Sequence, residues 1–218
     1  MAVLAFLSNK GGSGKTTIAV HTAVAAQAAG VPVMLLDTDP QQNAMQWSHL
    51  RKAPRPVVRS IPPARLAGVI AGATADGYLV LVDTPGLTDP VIARVVTLAD
   101  LILIPCQPSF FDLLGILSTV DLVQASQRPA AFLLNMCRPQ VREVAESRGV
   151  LATYPLPLAP VTVGHRIVFA RAVAAGQGVT EYAPRGEAAR EILALWTWIA
   201  TQIGVSHGEA SGTHQSHL

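Results

Sequence analysis

A doubly wound α/β fold, with a mostly parallel sheet and helices on both faces, is predicted by three features of this 218-residue chain. Short apolar runs rich in Val, Ile and Leu alternate with helix-compatible runs. Several of those apolar runs are continuous rather than alternating, as in strands buried on both faces. Half of the residues are hydrophobic and only 14% are charged, which suits a sheet covered on both sides.

Strand-type runs fall at residues 3–8, 33–36, 57–60, 79–82, 101–104 and 132–135, with a short seventh at 151–154. A helix-compatible run at 18–29 follows the first strand, and the last helix spans about 186–203, with Leu193, Trp196 and Ile199 expected on one side. Alternation of this kind implies right-handed crossovers and ligands at the carboxyl ends of the strands. No internal repeat or linker divides the chain. Residues 1–204 are expected to form one domain, with the Pro-rich stretch 154–160 leaving the last strand. Residues 205–218 are dominated by Ser, Gly, His and Gln and are expected to form a disordered tail.

Bulk properties exclude several classes. The net charge of +2 is too mild to imply nucleic acid unaided. Its distribution is uneven: residues 1–127 hold eight basic and eight acidic side chains, whereas 128–190 hold eight Arg and four Glu, a local excess of +4. Cys106 and Cys137 lack metal-ligand spacing and read as a reduced, partly buried pair. Residues 1–7 carry no basic segment and do not resemble a signal peptide. Residues 18–36 are uncharged, but His21, Gln27, Gly30 and Pro32 divide them into a helix end and a strand start, which excludes a membrane span.

Chemistry concentrates at three strand ends. After the first strand comes Lys10-Gly11-Gly12-Ser13-Gly14-Lys15-Thr16-Thr17, followed by a helix. Strand, glycine-rich turn and helix in that order make a P-loop, whose inward amides and helix dipole bind phosphate. Lys15 is placed to reach β- and γ-phosphate oxygens, and the Thr16 hydroxyl to bind Mg²⁺. The second strand ends Asp37-Thr38-Asp39-Pro40-Gln41, where two carboxylates share one side if the extended geometry persists. One can hold Mg²⁺ through water while the other orients an attacking water. The fourth strand ends Asp83-Thr84-Pro85-Gly86, a Walker B pattern with Asp83 near the metal.

Asn9 stands where an ordinary P-loop has Gly, and Lys10 follows at once. This variant resembles the deviant Walker A loop of the ParA/MinD family of ATPases, most of all the small ParF-like partition ATPases. Asp37 to Gln41, Asn43, Trp47 and Asp83 to Pro85 continue the likeness, which extends over roughly residues 1–203. The resemblance implies that Lys10 contacts the phosphates of a partner subunit in an ATP-sandwiched homodimer. It implies that Asp39 positions the hydrolytic water, and that Thr16, Asp37 and Asp83 surround Mg²⁺. Gly11, Gly12, Ser13, Gly14, Lys15, Thr16 and Thr17 would cradle the phosphates. Pro105, Gln107 and Pro108 match a proline-rich loop beside adenine and the dimer interface, and Asn135 an adenine contact.

The same resemblance implies non-specific DNA binding through the Arg-rich C-terminal third, with Arg138, Arg142, Arg148, Arg166, Arg171, Arg185 and Arg190 as candidates. A second basic group is Arg51, Lys52, Arg55, Arg59 and Arg65. A ParB-like centromere-binding or cargo adaptor protein would stimulate hydrolysis, and the protein would be cytoplasmic and nucleoid-associated when ATP-bound. The larger relatives' N-terminal DNA-reading domain is not expected, because the chain opens on the first strand. A protein cargo such as a carboxysome-like body or chemosensory array is an alternative to a plasmid or chromosome. A MinD-like membrane-surface ATPase is disfavoured by the absence of Lys and Arg from the last turns of the final helix. A metabolic P-loop enzyme would leave Lys10 unexplained.

Overall fold

The computed structural model describes residues 1–9, 11–87, 89–109, 115–138 and 142–205. Lys10 and residues 206–218, which include all but the first residue of the expected tail, lie outside the described residues. The strands are β1 (Val3–Phe6), β2 (Val33–Asp37), β3 (Val57–Ser60), β4 (Leu79–Asp83), β5 (Leu101–Cys106), β6 (Ala130–Cys137) and β7 (Leu158–Gly164). The helices are α1 (Lys15–Ala28), α2 (Asn43–Leu50), α3 (Leu66–Ala75), α4 (Val91–Leu98), α5 (Leu117–Ser126), α6 (Arg142–Leu151), α7 (Ile167–Ala174), α8 (Val179–Tyr182) and α9 (Glu187–Gln202).

The strands form one sheet in the order β3-β2-β4-β1-β5-β6-β7, and all its pairings are parallel. The fold is thus the doubly wound α/β sheet expected, wholly rather than mostly parallel. β1 lies at its centre, hydrogen-bonded to β4 on one side and β5 on the other. The chain therefore winds outward in both directions from β1, and a crevice opens at the carboxyl ends where the windings part.

Strand alternation assigns the residues of β1 to two separate cores. Leu4 and Phe6 pack with Ile18 and Ala23 of α1, Trp47 of α2, Phe169 of α7, and Ile192, Leu195 and Trp196 of α9. Val3, Ala5 and Leu7 pack with Leu66 and Ile70 of α3, Val91 and Val95 of α4, Val120 of α5 and Leu151 of α6. Each large side chain so buried contributes roughly 1.5–3 kcal/mol. Both cysteines are buried, and neither forms a disulfide among the described residues. Among the described residues, no helix is long and apolar enough to cross a membrane.

Two expectations are corrected. The seventh strand is not at 151–154: Leu151 ends α6, its side chain fully buried, and a turn follows. The strand is Leu158–Gly164, inside and beyond the Pro-rich stretch. Pro160 is tolerated because β7 is an edge strand with β6 as its only neighbour in the sheet. In α9, Leu193 does not share the face of Trp196 and Ile199. It is 45% exposed, whereas Ile192, Leu195, Trp196 and Ile199 form the buried stripe. At 100° per residue, Leu193 lies about 120° around the helix from Ile199.

One buried polar side chain ties α1 to the C-terminal segment. His21 is fully buried, and its Nδ1 accepts a hydrogen bond of 3.0 Å from the Val179 amide. Its ring stands 5.1 Å from that of Phe169. Burial pushes its pKa from 6.5 down to about 4, so the imidazole is neutral in the fold at neutral pH. The unfolded chain takes up a proton below pH 6.5, and the folded chain does so only near 4. Stability is therefore lost as pH falls through that window. In urea unfolding, the advantage of the wild type over His21→Gln should shrink by about 2 kcal/mol between pH 7 and pH 5. An advantage that stays constant would contradict a neutral buried His21.

Candidate functional site

The residues between β1 and α1 turn the chain at the centre of the carboxyl edge. Gly12 and Gly14 take φ values of 81° and 89°, in the left-handed region that favours glycine. Gly14 is also the residue on which α1 starts. A Cβ there would lie 2.3 Å from Asn135 Nδ2, so the position excludes any side chain on two grounds. Asn135 Nδ2 donates to the Ser13 carbonyl at 2.8 Å, and Gln107 Nε2 donates to the Gly12 carbonyl at 2.9 Å. Asn9 Nδ2 donates to the Gly115 carbonyl at 3.0 Å.

Gly11, Gly12, Gly14, Lys15, Thr16 and Thr17 line a cavity of about 990 Å³ with Asp39, Pro40 and Gln41 from the end of β2 and Pro85, Gly86 and Asp89 from beyond β4. Trp47, Leu50, Met136, Ala170 and Val173 supply apolar walls. The volume is ample for a nucleotide. Pro105 is buried at the end of β5 and borders a small neighbouring space with Asn9 and Ser13. Pro108 follows half-buried.

The charged groups face one another across the edge. Lys15 is almost fully buried. Burial pulls its pKa down, while the nearby Asp83 and Asp39 carboxylates oppose the shift. Asp83 is fully buried, and neither carboxylate oxygen has a hydrogen-bond partner of good geometry among the described residues. Burial raises its pKa to about 7, a shift moderated by the Thr16 hydroxyl and Lys15. Asp37 is also fully buried. Its Oδ1 accepts from the Asp39 amide at 3.1 Å and its Oδ2 from the Met45 amide at 3.0 Å. Burial raises its pKa, and those amides oppose the rise.

Asp37 therefore anchors the turn and the start of α2, while Asp39, whose Oδ1 accepts from the Gln41 amide at 2.9 Å, lines the cavity. The strand ends are locked together by hydroxyls: Thr38 Oγ1 donates to the Asp83 carbonyl at 2.8 Å, and Thr84 Oγ1 to the Phe6 carbonyl at 2.6 Å.

Magnesium ion fits this donor set. The Asp83 oxygens are hard, buried and unsatisfied, with the Thr16 hydroxyl beside them. No cluster of three or more His, Cys, Asp or Glu side chains suited to a metal occurs among the described residues. A metal that keeps its waters and leans on substrate phosphates does not need one.

The arginines proposed for DNA divide into two groups. Arg166 pairs with Glu191 at 2.7 Å, Arg142 with Glu146 at 2.6 Å, and Arg190 with Glu187. Arg148 donates to Thr162 Oγ1. Arg138, Arg171 and Arg185 are exposed and make no ion pair among the described residues.

Sequence reasoning missed the clasp around Arg51, which it placed in a basic patch. Arg51 stacks on Trp47 with 5.2 Å to the ring centroid and pairs through both terminal nitrogens with Glu181, at 2.8 and 2.7 Å. Burial opposes the Glu181 charge, but Arg51 and the Gly178 amide hold its pKa below the ordinary range. The spacing of 130 residues between Arg51 and Glu181 left no local signal in the sequence.

The match to known families agrees with this architecture. Residues 4–179 match the model of the CobQ/CobB/MinD/ParA nucleotide-binding domain. The chain belongs to this family. A carboxysome distribution protein A from Gloeobacter kilaueensis is 32% identical over 207 residues, covering 92% of this chain and 93% of that one. A ParA protein from Rhizobium radiobacter is 32% identical over 114 residues, and the chain spans about half of that relative's length, 51%. Among solved structures, the septum-site-determining protein MinD from Pyrococcus horikoshii, complexed with Mg-ADP, superposes with a TM-score of 0.77 at 15% identity, covering 94% of this chain and 98% of that one. That likeness fixes the fold as the MinD/ParA form of the P-loop fold.

In family terms, Asp83 carries a buried charge that a bound cation would satisfy and that costs stability without one. In protein stripped of nucleotide and divalent cation, Asp83→Asn should raise stability at pH 8 by about 4 kcal/mol, because the native pKa near 7 exceeds the unfolded value of 3.8. The gain should fade as pH falls from 7 towards 4, where the wild-type carboxyl is protonated in the fold as well. Denaturant unfolding at several pH values checks this, and an unchanged or lowered stability at pH 8 would contradict it.

Proposed function

We propose that this protein is a Mg²⁺-dependent ATPase that dimerises around ATP, binds DNA without sequence preference, and positions or segregates a cargo with a partner-stimulated hydrolysis cycle. The observation that carries this reading is the meeting of the glycine loop, Lys15, Thr16, Asp39 and Asp83 at one carboxyl edge, in a chain of the MinD/ParA family.

Each role follows from position. The loop amides and Lys15 take the phosphates. Thr16 and Asp83 hold the cation, with Asp37 behind them fixing the turn. When bound, Mg²⁺ neutralises charge that develops between the β- and γ-phosphates. Asp39 reaches into the cavity from an otherwise braced turn, where it can orient water toward the γ-phosphate. Lys10 acts in trans on the partner's nucleotide, as the deviant loop implies. Pro105, Gln107, Pro108 and Asn135 frame the base-side flank of the loop.

The cargo has two candidate classes. A plasmid or chromosome with a ParB-like adaptor is one. A protein assembly is the other, favoured by the end-to-end match to a carboxysome distribution protein against a half-length match to a ParA.

Lys15→Ala should abolish ATP binding. Asp39→Ala should keep binding but lose hydrolysis, accumulating an ATP-bound dimer visible by light scattering. Lys10→Ala should bind ATP and fail to dimerise. Undiminished ATP affinity in Lys15→Ala, or parental hydrolysis in Asp39→Ala, would reject the assignment.

DNA binding should require ATP and fall steeply with salt. Each phosphate contact contributes about −0.9 to the log–log salt slope, and a two-fold dimer doubles the contacts. Arg138, Arg171 and Arg185 are the arginines to change together, because Arg142, Arg166 and Arg190 are engaged with glutamates. The triple alanine variant should weaken two unrelated duplexes alike and flatten the slope, with ATP binding intact. Filter binding across a salt series, with and without ATP, checks this. Equal binding without nucleotide would reject the ATP-dependent clamp.

A further inference from the structure

We infer that Asn135 and Gln107 are positioning residues for phosphate binding, which set the direction of the loop's backbone amides by gripping its carbonyls from behind. The inference rests on the nucleotide reading above and deepens it.

A trans peptide unit holds its C=O and its N–H in opposite directions. Fixing the carbonyl of one residue therefore aims the amide of the next. Gln107 Nε2 holds the Gly12 carbonyl at 2.9 Å, which points the Ser13 amide the other way. Asn135 Nδ2 holds the Ser13 carbonyl at 2.8 Å, which does the same for the Gly14 amide. These are consecutive peptide units in the segment where Gly12 and Gly14 adopt positive φ, the alternation that forms an anion-binding nest. The glycines line the large cavity with Lys15, and Asn135 borders an adjoining space of about 240 Å³ that shares Thr17, Met136 and Ala170 with it. Neither Asn135 nor Gln107 lines the phosphate cavity itself, so both amides hold the loop from outside it.

Local backbone strain accompanies Asn135. The next residue, Met136, has φ of 54°, a left-handed conformation that disfavours a non-glycine residue. The pairing of β6 with β7 shifts register between Leu134 and Cys137, on either side of that residue. Asn135 is 3% exposed, so its amide has little water to fall back on. The absence of a Cβ at Gly14 completes the fit, since any side chain there would collide with Asn135 Nδ2.

A contact to the nucleotide base would give a different signature from a contact to the loop. The test is calorimetric titration of the full-length wild type, Asn135→Ala and Gln107→Ala with two ligands in the presence of Mg²⁺: ATP, and inorganic tripolyphosphate, which has no base. Melting temperature is recorded for each variant. Each substitution should weaken both ligands by the same factor, about ten-fold for one lost orienting hydrogen bond. The folded variants should melt as cooperatively as the wild type. ATP binding weakened with tripolyphosphate binding unchanged would overturn the inference in favour of a base contact, and so would two unchanged affinities. Should Asn135→Ala fail to fold, Gln107→Ala carries the test, because Gln107 is only half-buried. A wild type that binds neither ligand would overturn the nucleotide reading itself, and this inference with it.

Discussion

Turning the chain from β1 into α1 at the centre of a parallel sheet leaves a run of backbone groups that neither element can pair. Most of what is distinctive about the carboxyl edge answers that constraint. Two glycines absorb the left-handed conformations, and Asn9, Gln107 and Asn135 hydrogen-bond in and around the loop. Thr38 and Thr84 lock the neighbouring strand ends through their hydroxyls. Holding the carbonyls from one side turns the amides of the same peptide units to the other, the arrangement that suits an anion at a helix start.

The electrostatics follow the same division. Asp37 and Asp83 are equivalent in sequence reading, each an aspartate closing a buried strand, but their surroundings differ. Asp37 is paid back by two backbone amides, whereas Asp83 is not. One carboxylate becomes structural support for the turn that presents Asp39. The other stays buried beside Lys15 and Thr16 with its pKa raised to about 7, a perturbation of the kind that marks a candidate functional group.

Much of this was legible in the sequence because it is local. Continuous apolar runs gave five of the strands, since burial on both faces leaves no alternation to misread; β3, a half-exposed edge strand, was read from Val57 and Val58. The loop and the two Asp-Thr motifs carry their chemistry in adjacent residues. The seventh strand was not legible: an edge position tolerates Pro160, and a Pro-rich segment reads as connection. Leu193 was misplaced because its spacing of three from Trp196 reads as one face, whereas the buried stripe runs through Ile192 and Leu195 and leaves Leu193 beyond its edge. The grip of Asn135 on Ser13 spans 122 residues and that of Gln107 on Gly12 spans 95, and the Arg51–Glu181 pair is as distant. No pattern in one sequence announces such partners. A count of arginines overstated the free positive surface for a different reason: Arg142 and Arg190 are matched by glutamates one helical turn away, and only Arg166 by a more distant one, Glu191.

The division of β1 between two cores has a consequence for how the site is gauged. Leu4 and Phe6 are fitted to one set of helices, and Val3, Ala5 and Leu7 to another, so the strand cannot slide along its axis without misfitting both. A slip of one residue would move its end by about 3.3 Å and exchange the two faces wholesale. The loop that begins just beyond Leu7 inherits this indexing. Its amides are located, to within the tolerance of close packing, by methyl groups on both sides of the sheet that never meet a nucleotide.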